Sequence, residues 1–298
     1  MKRPFERLAV IGSGTLGSQI AVLAASAGYA VTIFDMREGV FRKTVDHLCS
    51  DMRSKGIEPF ISWKKIDVAK EAVEEASSLE AAVRHADFIV EAVPENLDIK
   101  RKVFGEMDSL APRSAIFATN SSSIPVSRIE DATTRPEKCI NTHFYMPLRG
   151  WKMVDIMGGT KTTPETIETG KEWIRSLGCV PLTVKKEILG FCFNRVWRAV
   201  KRECLYMWAG GFVEPFDIDR AWMIWTGMPL GPFAIMDSVG LDVVYDIEMS
   251  YFNESGDAKD HPPKALKEML ERGELGVKTG KGFYRYPDPE YKKPDFLG

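Results

Sequence analysis

The sequence predicts an α/β domain followed by an all-α domain, and three observations carry that prediction. Apolar runs that break at glycine alternate with helix-favouring stretches from the N-terminus to about residue 185. Beyond Ile188 the alternation stops and long helical patterns take over, rich in aromatics such as Trp197, Tyr206, Trp208, Trp222 and Trp225. A chain of 298 residues, 44% of them hydrophobic, can bury two separate cores. The domains are therefore expected at residues 1–186 and 187–298, with the charged Lys185-Lys186-Glu187 at the boundary.

Leu8-Ala9-Val10-Ile11 is a continuous apolar run ending at glycine, as a buried parallel strand would. Residues 16–27 are Ala-rich with small residues interspersed, which predicts a helix pressed closely on a sheet. Tyr29 to Phe34 forms a second strand, ending at Asp35. Strand, helix and strand in so short a stretch make a βαβ unit. The charged stretch from about 38 to 76, broken near Gly56 and Pro59, reads as an inserted helical hairpin. The alternation resumes with a strand at 88–93, a helix at 96–110, a strand at 115–119, and strands near 139–144, 152–157 and 179–184. The C-terminal helices are apolar around much of their circumference, which predicts a homodimer through that domain.

Composition narrows the function classes. A formal charge of −2 without a basic block argues against nucleic acid or an anionic membrane as a partner and leaves a small-molecule substrate. The first apolar run is too short, and too broken by Gly12 and Gly14, for a signal peptide or a membrane span, so a cytoplasmic protein is expected. Five cysteines, an odd number without CxxC spacing, read as reduced structural thiols, and no metal ligand set is assigned.

Gly12-Ser13-Gly14-Thr15-Leu16-Gly17 fits GxGxxG, and its setting matters more than the string. A strand runs in, a helix runs out, and Asp35 closes the next strand 23 residues after Gly12, the arrangement of a Rossmann-like dinucleotide domain. Gly12 permits the tight turn, Gly14 lets backbone N–H groups approach a pyrophosphate, and Gly17 lets the helix press on the strand. Asp35 can accept hydrogen bonds from a ribose 2′-hydroxyl and would repel a 2′-phosphate, so NAD is expected rather than NADP, although Arg37 lies close. A glycine turn without any cofactor is the weaker reading in this context.

Past this point the chain resembles the L-3-hydroxyacyl-CoA dehydrogenase family along nearly its whole length. The marks are the glycine fingerprint, Asp87-Phe88-Ile89-Val90-Glu91-Ala92-Val93-Pro94-Glu95-Asn96, Ala118-Thr119-Asn120-Ser121-Ser122-Ser123 and His143-Phe144-Tyr145. They continue with Gly190-Phe191-Cys192-Phe193-Asn194-Arg195, Met228-Pro229-Leu230-Gly231-Pro232-Phe233 and Lys278-Thr279-Gly280-Lys281-Gly282-Phe283-Tyr284. The resemblance implies an NAD domain, a helical C-terminal domain that dimerises, and a CoA thioester as substrate. Matched by position, it implies that Glu95, Lys100, Asn120, Ser122 and Lys278 join Asp35 and the glycine loop in holding the cofactor. It also places Ser122 beside the substrate hydroxyl and Asn194 facing the active site from the second domain.

The resemblance makes His143 the proton-transfer base. The other histidines match no catalytic motif: His47 falls in the hairpin, His85 at the start of a strand and His261 before Pro262-Pro263. A lone strand-end histidine is structural more often than catalytic, and only the family motif reverses that expectation. Imidazole suits the task because it exchanges a proton near neutral pH. The family places a Glu twelve residues after the His to fix its tautomer; here that position is Asp155, one methylene shorter.

Two further departures concern the substrate. Met146 stands where the family carries Asn, and a thioether lacks the amide's donors and strong acceptor. Arg149 adds a charge where the family tends to be apolar; it either grips a substrate carboxylate or is a solvated loop arginine. In the hairpin, where the family contacts CoA, Arg42, Lys43, Arg53 and Lys55 either meet phosphates or form a wet helix face. Three readings follow: oxidation of a short-chain 3-hydroxyacyl-CoA, the same chemistry on a free hydroxy acid clamped by Arg149, and a non-catalytic NAD-binding protein permitted by Met146 and Asp155.

Overall fold

The computed structural model describes residues 3–298, in two compact units that divide between Cys192 and Phe193. The division falls six residues beyond the boundary expected at 186/187, because the Gly190 to Cys192 segment stays with the first unit.

The first unit runs β1 (Arg7–Ile11), α1 (Thr15–Ser26), β2 (Ala30–Phe34), α2 (Val40–Ser54), α3 (Trp63–Ala72), β3 (Glu74–Glu75) and α4 (Leu79–Val83). It continues with β4 (Phe88–Glu91), α5 (Leu97–Leu110), β5 (Ile116–Thr119), β6 (Cys139–Phe144), β7 (Met153–Gly158), α6 (Pro164–Ser176) and β8 (Val180–Val184). The eight strands form one sheet in the order β3-β2-β1-β4-β5-β6-β7-β8. Every neighbouring pair is parallel except β6 and β7, so β7 and β8 run against the rest. The fold is Rossmann-like, with helices on both faces.

Period-two alternation sends side chains of one strand into two cores. Leu8 and Val10 face a core shared with Ile20, Leu23, Phe41, Met52, Ile66 and Trp173, while Ala9 and Ile11 face one built on Phe104, Met107 and Phe117. Phe88 anchors the first, with its ring centroid 4.6 Å from Trp173 and 5.0 Å from Phe5. The expected hairpin is α2 and α3, starting and ending within the predicted stretch; Ser62 caps α3 by accepting from the Lys65 N–H.

Three features escaped the sequence pattern. β3 is two exposed glutamates paired only with Thr32 and Ile33, so no apolar alternation marks it. Helices α4 and α6 were not anticipated, although Thr163 caps α6 through the Thr166 N–H and Pro164 opens it. His85 lies in the turn between α4 and β4, not at the start of the strand.

The second unit is all-α: α7 (Phe193–Ala209), α8 (Pro215–Thr226), α9 (Pro232–Val239), α10 (Leu241–Ser255) and α11 (Lys264–Glu271). Two fully buried carboxylates organise it. Asp219 accepts from the Phe233 and Ala234 N–H groups, capping α9, and from the Tyr284 hydroxyl. Asp237 accepts from the Phe283 and Tyr284 N–H groups and the Tyr286 hydroxyl. Burial pushes both carboxyls up despite these donors. Among the described residues no helix is long and apolar enough to cross a membrane.

Candidate active site

The glycine loop joins β1 to α1, and its geometry separates the three glycines. Gly12 has φ +103° and lies so close to the Ala92 carbonyl that a Cβ would sit 2.5 Å from its oxygen. A Cβ on Gly17 would lie 1.9 Å from the Gly12 carbonyl oxygen, so α1 can approach the loop only with glycine there. A Cβ on Gly14 would meet nothing within 4 Å. The loop therefore opens to free space at Gly14, at the start of a helix whose first N–H groups lack intrahelical partners.

Asp35, at the end of β2, ties the two strand ends together. One oxygen accepts from the Ser13 N–H at 2.9 Å and the other from the Arg37 N–H at 3.0 Å. Partial burial pushes its carboxyl up, but these N–H groups and the Arg37 guanidinium outweigh burial and hold it below the usual range. The Ser13 N–H, a candidate for phosphate contact, is thus already engaged with Asp35.

Lys100 and Glu95 belong to a second cluster. Lys100 is buried and sits 2.8 Å from Glu91, which is also fully buried, and 3.3 Å from Glu95. Burial pushes the Glu91 carboxyl up against the pull of Lys100, the Thr119 hydroxyl and the Val93 N–H. Glu95 is partly exposed and accepts from the Ser121 hydroxyl at 2.5 Å and from both the N–H and hydroxyl of Ser123. Burial raises its carboxyl, but Lys100 and the two serines prevail and bring it down to about 2. Lys100 thus bridges the two glutamates. Ser122 between the two serines is exposed, and the Asn120 side-chain carbonyl accepts the Phe144 N–H at 3.0 Å, bracing the end of β6.

His143 and Asp155 meet across the sheet. In the antiparallel β6–β7 pair they are register partners, and His143 Nδ1 lies 3.3 Å from Asp155 Oδ2. Asp155 is fully buried. Its Oδ2 also accepts the Tyr145 hydroxyl at 2.5 Å, and its Oδ1 accepts the Cys192 N–H at 3.3 Å. The Phe191 ring stacks on the imidazole with centroids 5.1 Å apart and planes within 5°. Sequence reasoning missed Tyr145, Phe191 and Cys192 as members of this site. The phenol lies two residues after the histidine and ten before the acid, a relationship that becomes a contact only through the strand register.

Met146 and Phe191 are the non-glycine residues with left-handed backbone among the described residues, at φ 48° and 51°. Phe191 stacks on His143 and Met146 follows it by three residues, and strained backbone of this kind clusters at functional sites. At Met146 the conformation is one that Asn adopts more readily than Met. Gln19 of α1 holds this turn: its Nε2 lies 3.3 Å from the Met146 sulfur, and its Oε1 accepts the Leu148 N–H.

Arg149 lies against the inserted hairpin. It is partly buried and donates to Asp51 of α2, which also pairs with Lys55 at 2.6 Å. Leu148 accepts the Phe60 N–H, so the segment after β6 is fastened to the hairpin by backbone as well as charge. Two other hairpin cations are similarly occupied. Arg42 pairs with Glu71 and Glu75, Arg53 lies over the Trp63 ring at 4.4 Å, and Lys43 is exposed.

In the second unit, Asn194 stands in the first turn of α7, and Lys278 is held by both oxygens of Asp242, at 2.5 and 2.6 Å.

Residues 7–188 match the family described as "3-hydroxyacyl-CoA dehydrogenase, NAD binding domain", and residues 190–286 match its "C-terminal domain". The chain belongs to the 3-hydroxyacyl-CoA dehydrogenase family. It is 34% identical over 284 residues to a 3-hydroxybutyryl-CoA dehydrogenase of Clostridioides difficile, covering 94% of this chain and 99% of that protein. It is 29% identical to the 5-formyl-3-hydroxy-2-methylpyridine 4-carboxylate 5-dehydrogenase of Mesorhizobium japonicum, covering 96% and 92%. A solved diketoreductase structure superposes with a TM-score of 0.84 at 32% identity, covering 96% of this chain and all of that one.

Family membership makes this 3-hydroxyacyl-CoA dehydrogenase relative an NAD-dependent oxidoreductase. The residues of the loop fit the cofactor: Gly14 opens to free space where a pyrophosphate would approach, and Asp35 offers an anionic acceptor at the next strand end. Four of the five cysteines are buried, with Cys192 exposed, and burial pushes Cys139 and Cys204 up to about 12, which makes both inert thiols.

Proposed function

We propose that the protein oxidises the secondary alcohol of a short-chain 3-hydroxyacyl-CoA to the 3-keto product, with His143 as general base. The observation that carries this reading is the buried His143–Asp155 pair. It sits at the carboxyl end of β6, and β1, β4, β5 and β6 are parallel, so this is the sheet edge on which the glycine loop also lies. Bound NAD would accept a hydride from the carbinol carbon. The protein's task is then to remove the hydroxyl proton as the C–H bond breaks. The Nδ1 side of the ring faces Asp155, which leaves Nε2 to take that proton, while the buried carboxylate stabilises the resulting imidazolium. In the reverse direction the imidazolium returns the proton to the forming alkoxide. Ser122 and Asn194 are assigned to the substrate hydroxyl's surroundings, and Glu95, Lys100, Asn120 and Lys278 to the cofactor side.

A second reading, the same chemistry on a free hydroxy acid, is favoured by one observation: Arg42, Arg53 and Lys55 of the hairpin are engaged with Glu71, Trp63 and Asp51 and so offer little to CoA phosphates. The Mesorhizobium relative, named for a pyridine carboxylate, is consistent with it. Turnover with NAD, followed by nicotinamide absorbance on 3-hydroxybutyryl-CoA and on free 3-hydroxybutyrate, decides between them. Activity confined to the free acid removes the CoA assignment.

The reading includes a cytoplasmic homodimer assembled through the second unit, whose exposed Trp225, Phe212, Ile224 and Val196 would be covered. The mass in solution tests the dimer.

A further inference from the structure

Resting on the reading of His143 as the base, we propose that Tyr145 is a positioning residue that sets how much of the Asp155 charge reaches the imidazole. The two donors share one oxygen. Tyr145 Oη lies 2.5 Å from Asp155 Oδ2, a short hydrogen bond, whereas His143 Nδ1 lies 3.3 Å from the same atom. A charge-assisted N–H···O bond is normally about 2.7–2.9 Å, so the phenol holds the strong bond and the ring the weak one. The shortened acid explains the asymmetry. His143 and Asp155 are fixed opposite each other by strand register, so a side chain one methylene shorter than Glu leaves a gap at the ring that the backbone cannot close. Tyr145 and the Cys192 N–H hold the shortened carboxylate from two other directions.

Within the N-terminal unit the His143 ring meets Asp155, Tyr145 and Phe191. Asp155 faces it from β7, Tyr145 meets it edge-on at 4.4 Å from the end of its own strand, and uncharged Phe191 covers one face. Removing the phenol hydroxyl therefore concentrates the carboxylate on the imidazolium, and strengthening that hydroxyl as a donor draws charge away.

The test needs no substrate. The ring resonances of His143, assigned by their loss in His143→Gln, are titrated by NMR in the intact protein. Tyr145→Phe should move the midpoint up by about half a unit, roughly threefold in proton affinity. Replacing Tyr145 with a difluorotyrosine, a stronger donor of the same shape, should move it down. Opposite shifts support the proposal; unchanged midpoints, or shifts of the same sign, overturn it, because a merely structural phenol would not reverse sign between the two. The fluorinated protein keeps the test open should Tyr145→Phe fail to fold. His143→Gln turnover is a separate arm: if activity persists there, the base assignment fails while the titration still reports on the Tyr145–Asp155–His143 arrangement.

Discussion

Asp155 stands directly opposite His143 in the only antiparallel pairing of the described sheet, twelve residues further along the chain. The hairpin connection between β6 and β7 thus converts a sequence spacing into a contact, and strand register rather than loop conformation aims the carboxylate at the ring. Asp155→Asn should leave the register intact and lower kcat by about a hundredfold or more, the scale seen when a buried partner of a catalytic histidine loses its charge. His143→Ala should lower kcat at least about a hundredfold with NAD affinity nearly unchanged. Steady-state turnover and NAD titration measure both, and undiminished turnover in either variant would refute the pair's role.

Asp35 is expected to set cofactor choice. Asp35→Ala removes the acceptor at the end of β2 and should weaken NAD roughly tenfold, the scale of a hydrogen bond to a charged group, while narrowing its preference over NADP. Comparing KM for the two dinucleotides checks this. Equal preference in the unmutated protein would contradict the assignment at the outset.

Met146 is expected to carry backbone strain. At φ 48° it occupies a conformation that Asn tolerates better, so Met146→Asn should raise stability by about 0.5–1 kcal/mol in denaturant unfolding. A loss of stability would mean that the Gln19 contact to the thioether outweighs the strain.

Arg149 distinguishes the two substrate readings. Because it is paired with Asp51, Arg149→Met should lower stability by about 1 kcal/mol and leave kcat/KM on an acyl-CoA within a few-fold. A tenfold or larger rise in KM for a free hydroxy acid, seen without any change on the thioester, would instead give Arg149 to the substrate carboxylate.

Acid should weaken the first unit through Glu95. Its carboxyl, held down to about 2, stays ionised in the folded protein at a pH where the unfolded chain has already bound the proton. Between the ordinary glutamate range and about pH 2 the unfolded state therefore binds more protons, and stability falls as pH falls. Unfolding free energy followed across that window should decline less steeply in Glu95→Gln than in the unmutated protein.

Much of the site was legible as spacing. Gly12, Gly17 and Asp35 could be read because each answers a local demand: a positive φ, a close helix approach, an acid closing a strand. His143 and Asp155 were recognisable from a family spacing, but their meeting rests on β7 running against β6, which no local pattern announces. Glu91 read as part of an apolar strand, and its pairing with Lys100 depends on a residue nine positions away on α5 reaching back to the strand end.

The sequence by itself determined the α/β and all-α division and the dinucleotide loop, since these follow from periodicity and from backbone demands within a few residues, while the candidate base came only from the family resemblance. Only the tertiary structure decided the partners: Tyr145 on Asp155, Phe191 on His143, Arg149 on Asp51 and Gln19 on Met146. Side chains brought together by a sheet, a helix packed on it and an inserted hairpin answer to geometry spanning from 10 to 127 residues of chain, and sequence proximity carries no record of which donor reaches which acceptor.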